Sequence, residues 1–125
     1  MPVARETVAC YLADVKEAVR TNRYVVSARP VNEELFEDYI FNEERQKEIL
    51  LDLCVEDFCH TLKNEHPAYA HEILYVFGKD VRLLPRFGGG EVTVSLYIKF
   101  NKYEDHYTVV IAFHEQKHLL KYMFK

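Results

Sequence analysis

The chain has 125 residues, of which 49% are hydrophobic, 14% aromatic and 29% charged, and its formal net charge at pH 7 is −4. This length predicts a single domain over residues 1–125, and the acidic balance argues against binding of nucleic acid through overall positive charge. No apolar run is long enough to cross a membrane or to serve as an export signal, so we expect a cytoplasmic protein without membrane contacts.

The N-terminal half is predicted to be helical. Apolar residues recur at helical spacing over residues 5–20, and a short β-prone run over residues 24–27 follows. Asn32 is the predicted cap of a second helix, and Asn42 begins a third helix that continues to Leu53.

A fourth, short helix is predicted over residues 53–62. Helical spacing turns Phe58 and Cys59 inward, and it places His60 near the outer surface of this helix. A polar loop over residues 63–71 then leads into the C-terminal half.

The C-terminal half is predicted to form a meander of β-strands. Strands are expected over residues 72–76, 81–84, 92–100 and 107–113, with turns at 78–80 and 101–106 and a last edge strand over 119–124. Helices followed by strands indicate an α+β fold, in which N-terminal helices pack on a twisted antiparallel sheet of about four to six strands.

Alternation within strand 92–100 separates polar from apolar side chains. Even-numbered positions from 94 to 100 are all apolar, whereas Ser95, Tyr97 and Lys99 share the opposite face. We therefore expect these three side chains to line the face of the sheet that points away from the core.

Alternation makes a similar prediction for strand 107–113. Ile111 and Phe113 are expected on one face, and Val110, Ala112 and His114 on the other. His114 would then stand at the end of a central strand, either as a functional group or as a histidine that simply faces water.

Three histidines are candidates for acid–base chemistry, because imidazole is the side chain that titrates near neutral pH. They are His60, His114 and His118. Cleavage of RNA without a metal requires a base for the ribose 2′-hydroxyl, cations near the phosphate and an acid for the leaving oxygen. Tyr97 adds a hydroxyl and a stacking ring, but its ordinary pKa of about 10 makes it a poor base without assistance.

Positive charge is concentrated in the C-terminal part of the chain. Residues 1–78 contain 15 acidic and eight basic side chains, whereas residues 79–125 contain five acidic and eight basic ones. This asymmetry allows a local site for an anion on an acidic protein. The candidate phosphate contacts are Lys99, Arg82, Arg86, Lys117 and His118, and each could equally be a solvated surface charge.

The cysteines do not predict a metal site. Cys54 and Cys59 are five residues apart, which is not the spacing of zinc ligands, and an odd count of three cysteines suits a reducing compartment. We expect no metal, no other cofactor and three small, buried, unreactive cysteines.

Four segments in this order resemble the MqsR family, the toxin components of bacterial toxin–antitoxin pairs. They are residues 53–58 (LCVEDF), 73–78 (ILYVFG), 96–100 (LYIKF) and 109–114 (VVIAFH). The resemblance extends from the first helix to the C-terminus. It implies a RelE-like fold and a metal-independent, sequence-biased mRNA endoribonuclease that arrests growth until a cognate antitoxin protein silences it.

The resemblance also assigns site residues. The catalytic tyrosine of the family matches Tyr97, and a catalytic lysine of the family falls at His114, which can serve as acid, base or phosphate contact. A second family lysine falls near His60. The family glutamine in the first strand of the sheet falls near Leu74, which cannot replace it.

The leading hypothesis is therefore an RNA-cleaving toxin whose expected partners are RNA and a cognate antitoxin protein, with the ribosome as a further candidate. Tyr97 would orient or activate the attacking hydroxyl, and His114 and His60 would share the acid and base roles. The alternative is a non-catalytic module that keeps the fold and docks a protein partner on its first helix or near residues 122–124. A DNA-binding regulator is least favoured, because no predicted helix is basic enough for a major groove.

Overall fold

A computed structural model of the chain describes residues 3–103 and 107–125. Within these ranges the helices are α1 (Arg5–Arg20), α2 (Pro30–Asp38) and α3 (Glu43–Leu51), and the strands are β1 (Tyr24–Val26), β2 (Phe58–Lys63), β3 (Ile73–Leu83), β4 (Val92–Lys102) and β5 (Thr108–Glu115). The five strands form one sheet in the order β1-β5-β4-β3-β2. The prediction of an α+β fold with N-terminal helices packed on one sheet is confirmed.

The sheet is mixed rather than wholly antiparallel. β1 runs parallel to β5, whereas β2, β3, β4 and β5 form antiparallel neighbours. Parallel pairing needs a long connection, and the chain between β1 and β5 supplies it. β4 continues to Lys102, so the predicted turn over residues 101–106 begins after its predicted start. Residues 104–106 of that turn lie outside the described residues.

α1 forms with the predicted bounds. Its apolar stripe is buried against the sheet and includes Val8, Leu12, Val15, Ala18 and Val19. Asn22 follows the helix with a φ of 58°, and the Arg23 N–H donates to the carbonyl of Ala18 at 2.7 Å. The left-handed backbone at Asn22 turns the chain so that N–H groups after the helix bind its last carbonyls, and the helix ends there. Among the described residues, no helix combines the length and hydrophobicity needed to cross a membrane.

α2 begins before the predicted cap. Pro30 occupies the first turn, where its missing N–H costs nothing, and Asn32 lies inside the helix at 3% exposure. The Asn32 side chain donates to the carbonyls of Ser27 and Ile111, at 2.9 and 3.0 Å, and accepts the Phe113 N–H at 2.9 Å. It therefore links α2 to β5 instead of capping a helix. The predicted cap of α3 is confirmed, because the Asn42 side chain accepts a backbone N–H in the first turn.

A β-bulge at Ile111 interrupts the alternation of β5. Val110 and Phe113 both face the helices and are 0% and 1% exposed, so the prediction that they lie on opposite faces is wrong. The extra residue shifts the alternation by one position. Ala112 and His114 lie together on the other face, as predicted.

Residues 53–62 do not form the predicted helix. A short 3-10 turn over Val55–Asp57 leads into β2, which pairs with β3 and places His60 opposite Val76. The Asp57 carboxylate accepts the Cys54 N–H at 2.9 Å and closes the turn. Pairing with a partner strand, which no local pattern reveals, outweighs the helical spacing of the apolar residues.

The predicted turn at residues 78–80 is also wrong, because β3 runs without interruption through Gly78. A Cβ atom at this position would lie 2.6 Å from both the Leu120 Cδ1 and the Tyr122 hydroxyl. Glycine therefore leaves room here for the ends of these two side chains and does not form a turn. Residues 119–124, predicted as an edge strand, form no strand and instead cross the sheet at this point.

We predict that Asn32→Ala lowers the free energy of unfolding by about 2–4 kcal/mol, because buried backbone groups lose their partners. Denaturation in urea, followed by circular dichroism, measures this loss. The control Asn42→Ala removes one exposed cap hydrogen bond and should cost only about 1 kcal/mol. Equal losses in the two variants would show that the link between α2 and β5 has no special importance.

Candidate functional site

The sheet face opposite the helices, called here the outer face, carries the predicted polar side chains of β4. Val94, Leu96, Ile98 and Phe100 are buried in the core, whereas Ser95, Tyr97 and Lys99 are half-buried on the outer face. The alternation predicted from the sequence is confirmed for this strand. β4 lies at the centre of the sheet, so these side chains have neighbours from both adjoining strands.

Tyr97 and His114 form the closest pair of candidate residues. They are direct partners across β4 and β5, and their rings stack with centroids 5.2 Å apart and planes inclined by 14°. The His114 Nδ1 lies 2.7 Å from the carbonyl of Glu115, which can only accept a hydrogen bond. The neutral ring therefore carries its proton on Nδ1 and presents the Nε2 lone pair as a potential base.

The surroundings of Tyr97 keep its phenol protonated. Burial raises the pKa of Tyr97, the neighbouring Cys59 thiol raises it further, and the positive charge of Arg29 opposes these effects in part. Near neutral pH the hydroxyl is thus a hydrogen-bond donor rather than a base.

Cys59 is buried beside this pair, and burial raises the pKa of its thiol to about 11. The thiol is therefore protonated at neutral pH and is not a nucleophile. Cys10 and Cys54 are exposed, so the prediction of three buried cysteines is wrong for two of them.

Lys99 follows Tyr97 on the same face and carries a perturbed ammonium group. Burial lowers the pKa of Lys99, the nearby Arg29 lowers it further, and Glu65 acts in the opposite direction. Neither Lys99 nor Arg29 belongs to an ion pair among the described residues. Two cations without paired carboxylates make this part of the outer face attractive to an anion such as phosphate.

Arg29 is the site residue that the sequence did not reveal. It precedes α2, and its Nη1 lies 3.5 Å from the carbonyl of Ile111, a residue 82 positions away in the chain. In the sequence it stands only as the residue before a strand-breaking proline. No local pattern could have placed it beside Tyr97 and Lys99, because its position depends on the packing of α2 against β5.

His60 lies on the outer face, but at some distance from the stacked pair. It is the partner of Val76 across β2 and β3, and Val76 is the partner of Lys99 across β3 and β4. Two strand spacings separate its backbone from that of Lys99 by about 10 Å. Burial lowers the pKa of His60, which favours a neutral imidazole at neutral pH.

The two predicted arginine contacts are engaged elsewhere. The Arg82 guanidinium binds the β3–β4 hairpin, with Nη1 3.2 Å from the Thr93 hydroxyl. The Arg86 Nε donates to the carbonyl of Phe36 at 3.0 Å and so binds the C-terminal end of α2. Both arginines stabilise the fold at a distance from the Tyr97–His114 stack.

Lys117 and His118 occupy an exposed bend after β5. The Lys117 Nζ lies 3.4 Å from a carboxylate oxygen of Glu34, so part of its charge is offset by α2. Among the described residues, neither of these two side chains has a hydrogen bond or ion pair with Tyr97, Lys99 or His114.

The C-terminal segment, residues 116–124, borders the cluster on one side. Gln116 Nε2 donates to the carbonyl of Leu96 at 3.0 Å, and Leu120 and Tyr122 cover Gly78, the partner of Tyr97 on β3. Five clefts on the described surface are lined by other residues, and Tyr97 and His114 are both half-buried. In the described ranges, no three His, Cys, Asp or Glu side chains are grouped as metal ligands.

Comparison with known proteins finds no family model and no curated protein sequence that matches the chain. The resemblance to the MqsR family therefore stays a prediction that rests on the four sequence segments. What the site can do follows from its own geometry: a histidine with a free Nε2 lone pair, a protonated phenol and two cations on the outer face.

We predict that Arg29→Gln raises the pKa of Lys99, because it removes a positive charge that disfavours the ammonium form. NMR titration of the lysine Nζ resonance measures the change. The control Arg23→Gln alters an exposed arginine that has no effect on the Lys99 pKa and should leave the titration unchanged. A pKa that stays constant in Arg29→Gln would place the guanidinium too far away to matter.

His60 should make stability depend on pH. Its pKa is lowered in the folded state, so the unfolded chain binds the proton more readily. Stability should therefore rise with pH through the window below about 6.5, the ordinary histidine pKa, and fall as the pH drops through that window. His60→Gln should flatten this part of a urea-denaturation profile, whereas His118→Gln at an exposed position should not. A slope unchanged by His60→Gln would assign the dependence to other groups.

Proposed function

We propose that the protein is an endoribonuclease that cleaves RNA through the ribose 2′-hydroxyl without a metal ion. The observation that supports this most strongly is the stack of Tyr97 on His114 beside Lys99. It combines a base, a protonated donor and a cation on the outer face of the sheet, which is the face that an extended RNA strand would contact.

In this mechanism His114 is the base. Its Nε2 accepts the proton of the 2′-hydroxyl, and the resulting oxygen attacks the adjacent phosphorus. The bond from phosphorus to the 5′-oxygen breaks, which leaves a 2′,3′-cyclic phosphate on one product and a 5′-hydroxyl on the other. The contact of His114 Nδ1 with the Glu115 carbonyl favours this role, because it holds the ring in place and leaves Nε2 free to accept the proton.

Lys99 and Arg29 supply the positive charge that the transition state needs. The phosphorane carries more negative charge than the phosphodiester, so fixed cations beside it lower the barrier. Tyr97 donates its phenolic proton to the leaving 5′-oxygen and later regains a proton from the His114 imidazolium or from water. The raised pKa of Tyr97 suits a donor that must be protonated before the reaction.

His60 receives a separate place in this proposal. The strand spacing puts it on the far side of Val76 from Lys99, so we assign it to a neighbouring phosphate of the same RNA strand. A cluster that spans β2, β4 and β5 would bind more than one nucleotide, which suits an endonuclease.

The toxin role implied by the MqsR resemblance is the biological part of this proposal. Transcripts in the cytoplasm, free or on the ribosome, would be the substrates, and a cognate antitoxin protein would silence the site. Lys99 and Arg29, which belong to no ion pair among the described residues, support contact with RNA on a chain whose total charge is negative.

We predict that His114→Gln and Tyr97→Phe each lower the cleavage rate by about 100-fold or more, because each removes a proton-transfer group. His60→Gln should lower it by less than about tenfold, since it acts only through binding. An RNA oligonucleotide with a fluorophore and a quencher reports the rate, and mass spectrometry should show the 2′,3′-cyclic phosphate.

The control Lys117→Gln removes a positive charge outside the cluster and should leave the rate nearly unchanged. EDTA should have no effect, and a 2′-deoxy nucleotide at the cleaved position should abolish the reaction. Intact RNA after incubation with wild-type protein, or full activity in His114→Gln, would refute the proposal. Binding of RNA without cleavage would instead favour the non-catalytic alternative.

A further inference from the structure

A cleft of about 400 Å³ opens where the connection between α1 and β1 meets helices α2 and α3. Its lining consists of Asn22, Tyr24, Phe36, Glu43 and Gln46. None of these side chains belongs to the cluster on the outer face, so the cleft is separate from the site proposed for RNA.

Two polar side chains of this cleft have no hydrogen-bond partner among the described residues. Gln46 is only 6% exposed, and its side-chain amide neither donates nor accepts a hydrogen bond in the described part of the chain. The Tyr24 hydroxyl is buried and unpaired as well. Buried polar groups are normally paired, because an unsatisfied one loses its bonds to water without replacement. Two such groups on the wall of one cleft indicate a ligand that supplies the missing partners.

Glu43 adds a negative charge to the cleft. It is exposed in the first turn of α3 and belongs to no ion pair among the described residues. Burial raises the pKa of the Tyr24 phenol, and the carboxylate of Glu43 raises it further, so the two side chains lie within electrostatic reach of each other. The cleft therefore combines an unneutralised carboxylate with two unsatisfied polar groups.

Aromatic rings form the apolar walls of the cleft. Phe36 is 38% exposed, and its ring packs on the buried Phe41 with centroids 5.3 Å apart, which anchors an open ring to the core. The Tyr24 ring already has a cation near it, because the Lys47 Nζ lies 6.0 Å from its centroid and donates to the side-chain oxygen of Asn22. The walls therefore suit a flat ligand that carries positive charge.

We propose that this cleft binds a guanidinium group, namely the side chain of an arginine in a partner polypeptide or of free arginine. A guanidinium has five N–H donors and no acceptor, and the Glu43 carboxylate, the Gln46 amide oxygen and the Tyr24 hydroxyl all accept hydrogen bonds. Its planar faces stack on aromatic rings, and it is more weakly hydrated than an ammonium group, so it enters a partly buried cleft more readily than lysine does. This inference does not depend on the proposed endoribonuclease activity.

The charges around the cleft favour a cation over an anion. Glu43 belongs to the lining, whereas Lys47 does not and is held by Asn22 and the Tyr24 ring. Residues 1–78, which supply the whole lining, contain 15 acidic and eight basic side chains. Lys47 repels a bound cation, so its removal should strengthen the binding of a guanidinium and weaken the binding of an anion.

The test uses Nα-acetyl-L-arginine N-methylamide, which mimics an arginine residue within a polypeptide. Titrated into the full-length, ¹⁵N-labelled protein, it should shift the side-chain amide resonances of Gln46, with a dissociation constant in the millimolar range that is usual for so small a ligand. The citrulline derivative, which has the same shape without the charge, should bind about tenfold more weakly or worse, and the lysine derivative about threefold more weakly.

Free L-arginine distinguishes the two sources of the ligand. Tighter binding of the blocked derivative would support an arginine within a polypeptide, because the carboxylate of the free amino acid would be repelled by Glu43. Tighter binding of L-arginine would support the free amino acid as the ligand. Either preference supports a guanidinium site.

Matched variants separate the site from general effects of charge and fold. Glu43→Gln should weaken binding about tenfold, whereas Glu44→Gln makes the same charge change in the same helical turn, outside the cleft, and should change it less than about twofold. Lys47→Gln should strengthen binding about threefold. Gln46→Met should weaken binding without lowering the temperature of thermal denaturation, because the amide has no partner within the described chain.

Several results would overturn the guanidinium site. These are the absence of any Gln46 amide shift with the arginine ligands, equal affinity for the citrulline derivative, and unchanged affinity in Glu43→Gln. Weaker binding in Lys47→Gln would show that the cleft takes an anion and would overturn it as well. The comparison of arginine with citrulline uses wild-type protein alone, so its result does not depend on the folding of any variant.

Discussion

The arrangement of the outer face depends on the buried amide of Asn32. It binds the carbonyl of Ile111 and the N–H of Phe113, one residue on each side of Ala112, and so holds the bulged part of β5 against α2. Side chains alternate along a strand. In a β5 without the bulge, the residues on one side of that point would therefore face the opposite side of the sheet. The bulge allows Phe113 to enter the core while His114 reaches the outer face beside Tyr97.

Partial burial produces the chemical character of this face. The same desolvation that raises the pKa of Tyr97 lowers the pKa of Lys99, because both shifts favour the uncharged form. Arg29 adds a second positive charge and shifts both groups toward lower pKa. The C-terminal segment contributes to this environment by crossing over Gly78, where the absence of a side chain lets it approach β3 closely.

β4 unites the parts of the proposed site. Its outward residues run from the Tyr97 ring through the Lys99 ammonium to the Asn101 amide, which binds Glu72. A single strand thus fixes the spacing of the ring, the ammonium group and the amide, and strands hold such spacing better than loops do. The acidic net charge of the chain is compatible with the proposed function, since the local cations would determine the potential near the site.

The sequence alone determined the elements that depend on neighbouring residues. These include the buried stripe of α1, the cap at Asn42, and the alternation that puts Tyr97 and Lys99 on one face of β4, because helical and strand periods are local properties. Only the tertiary structure decided the strand identity of residues 58–63, the uninterrupted β3 through Gly78 and the place of Arg29. Each of these depends on a partner distant in the chain: a neighbouring strand, a segment that crosses the sheet, or a helix packed at its edge. Such contacts leave no repeating pattern in the sequence. For this reason the sequence predicted only part of the candidate site, and the tertiary structure supplied the rest.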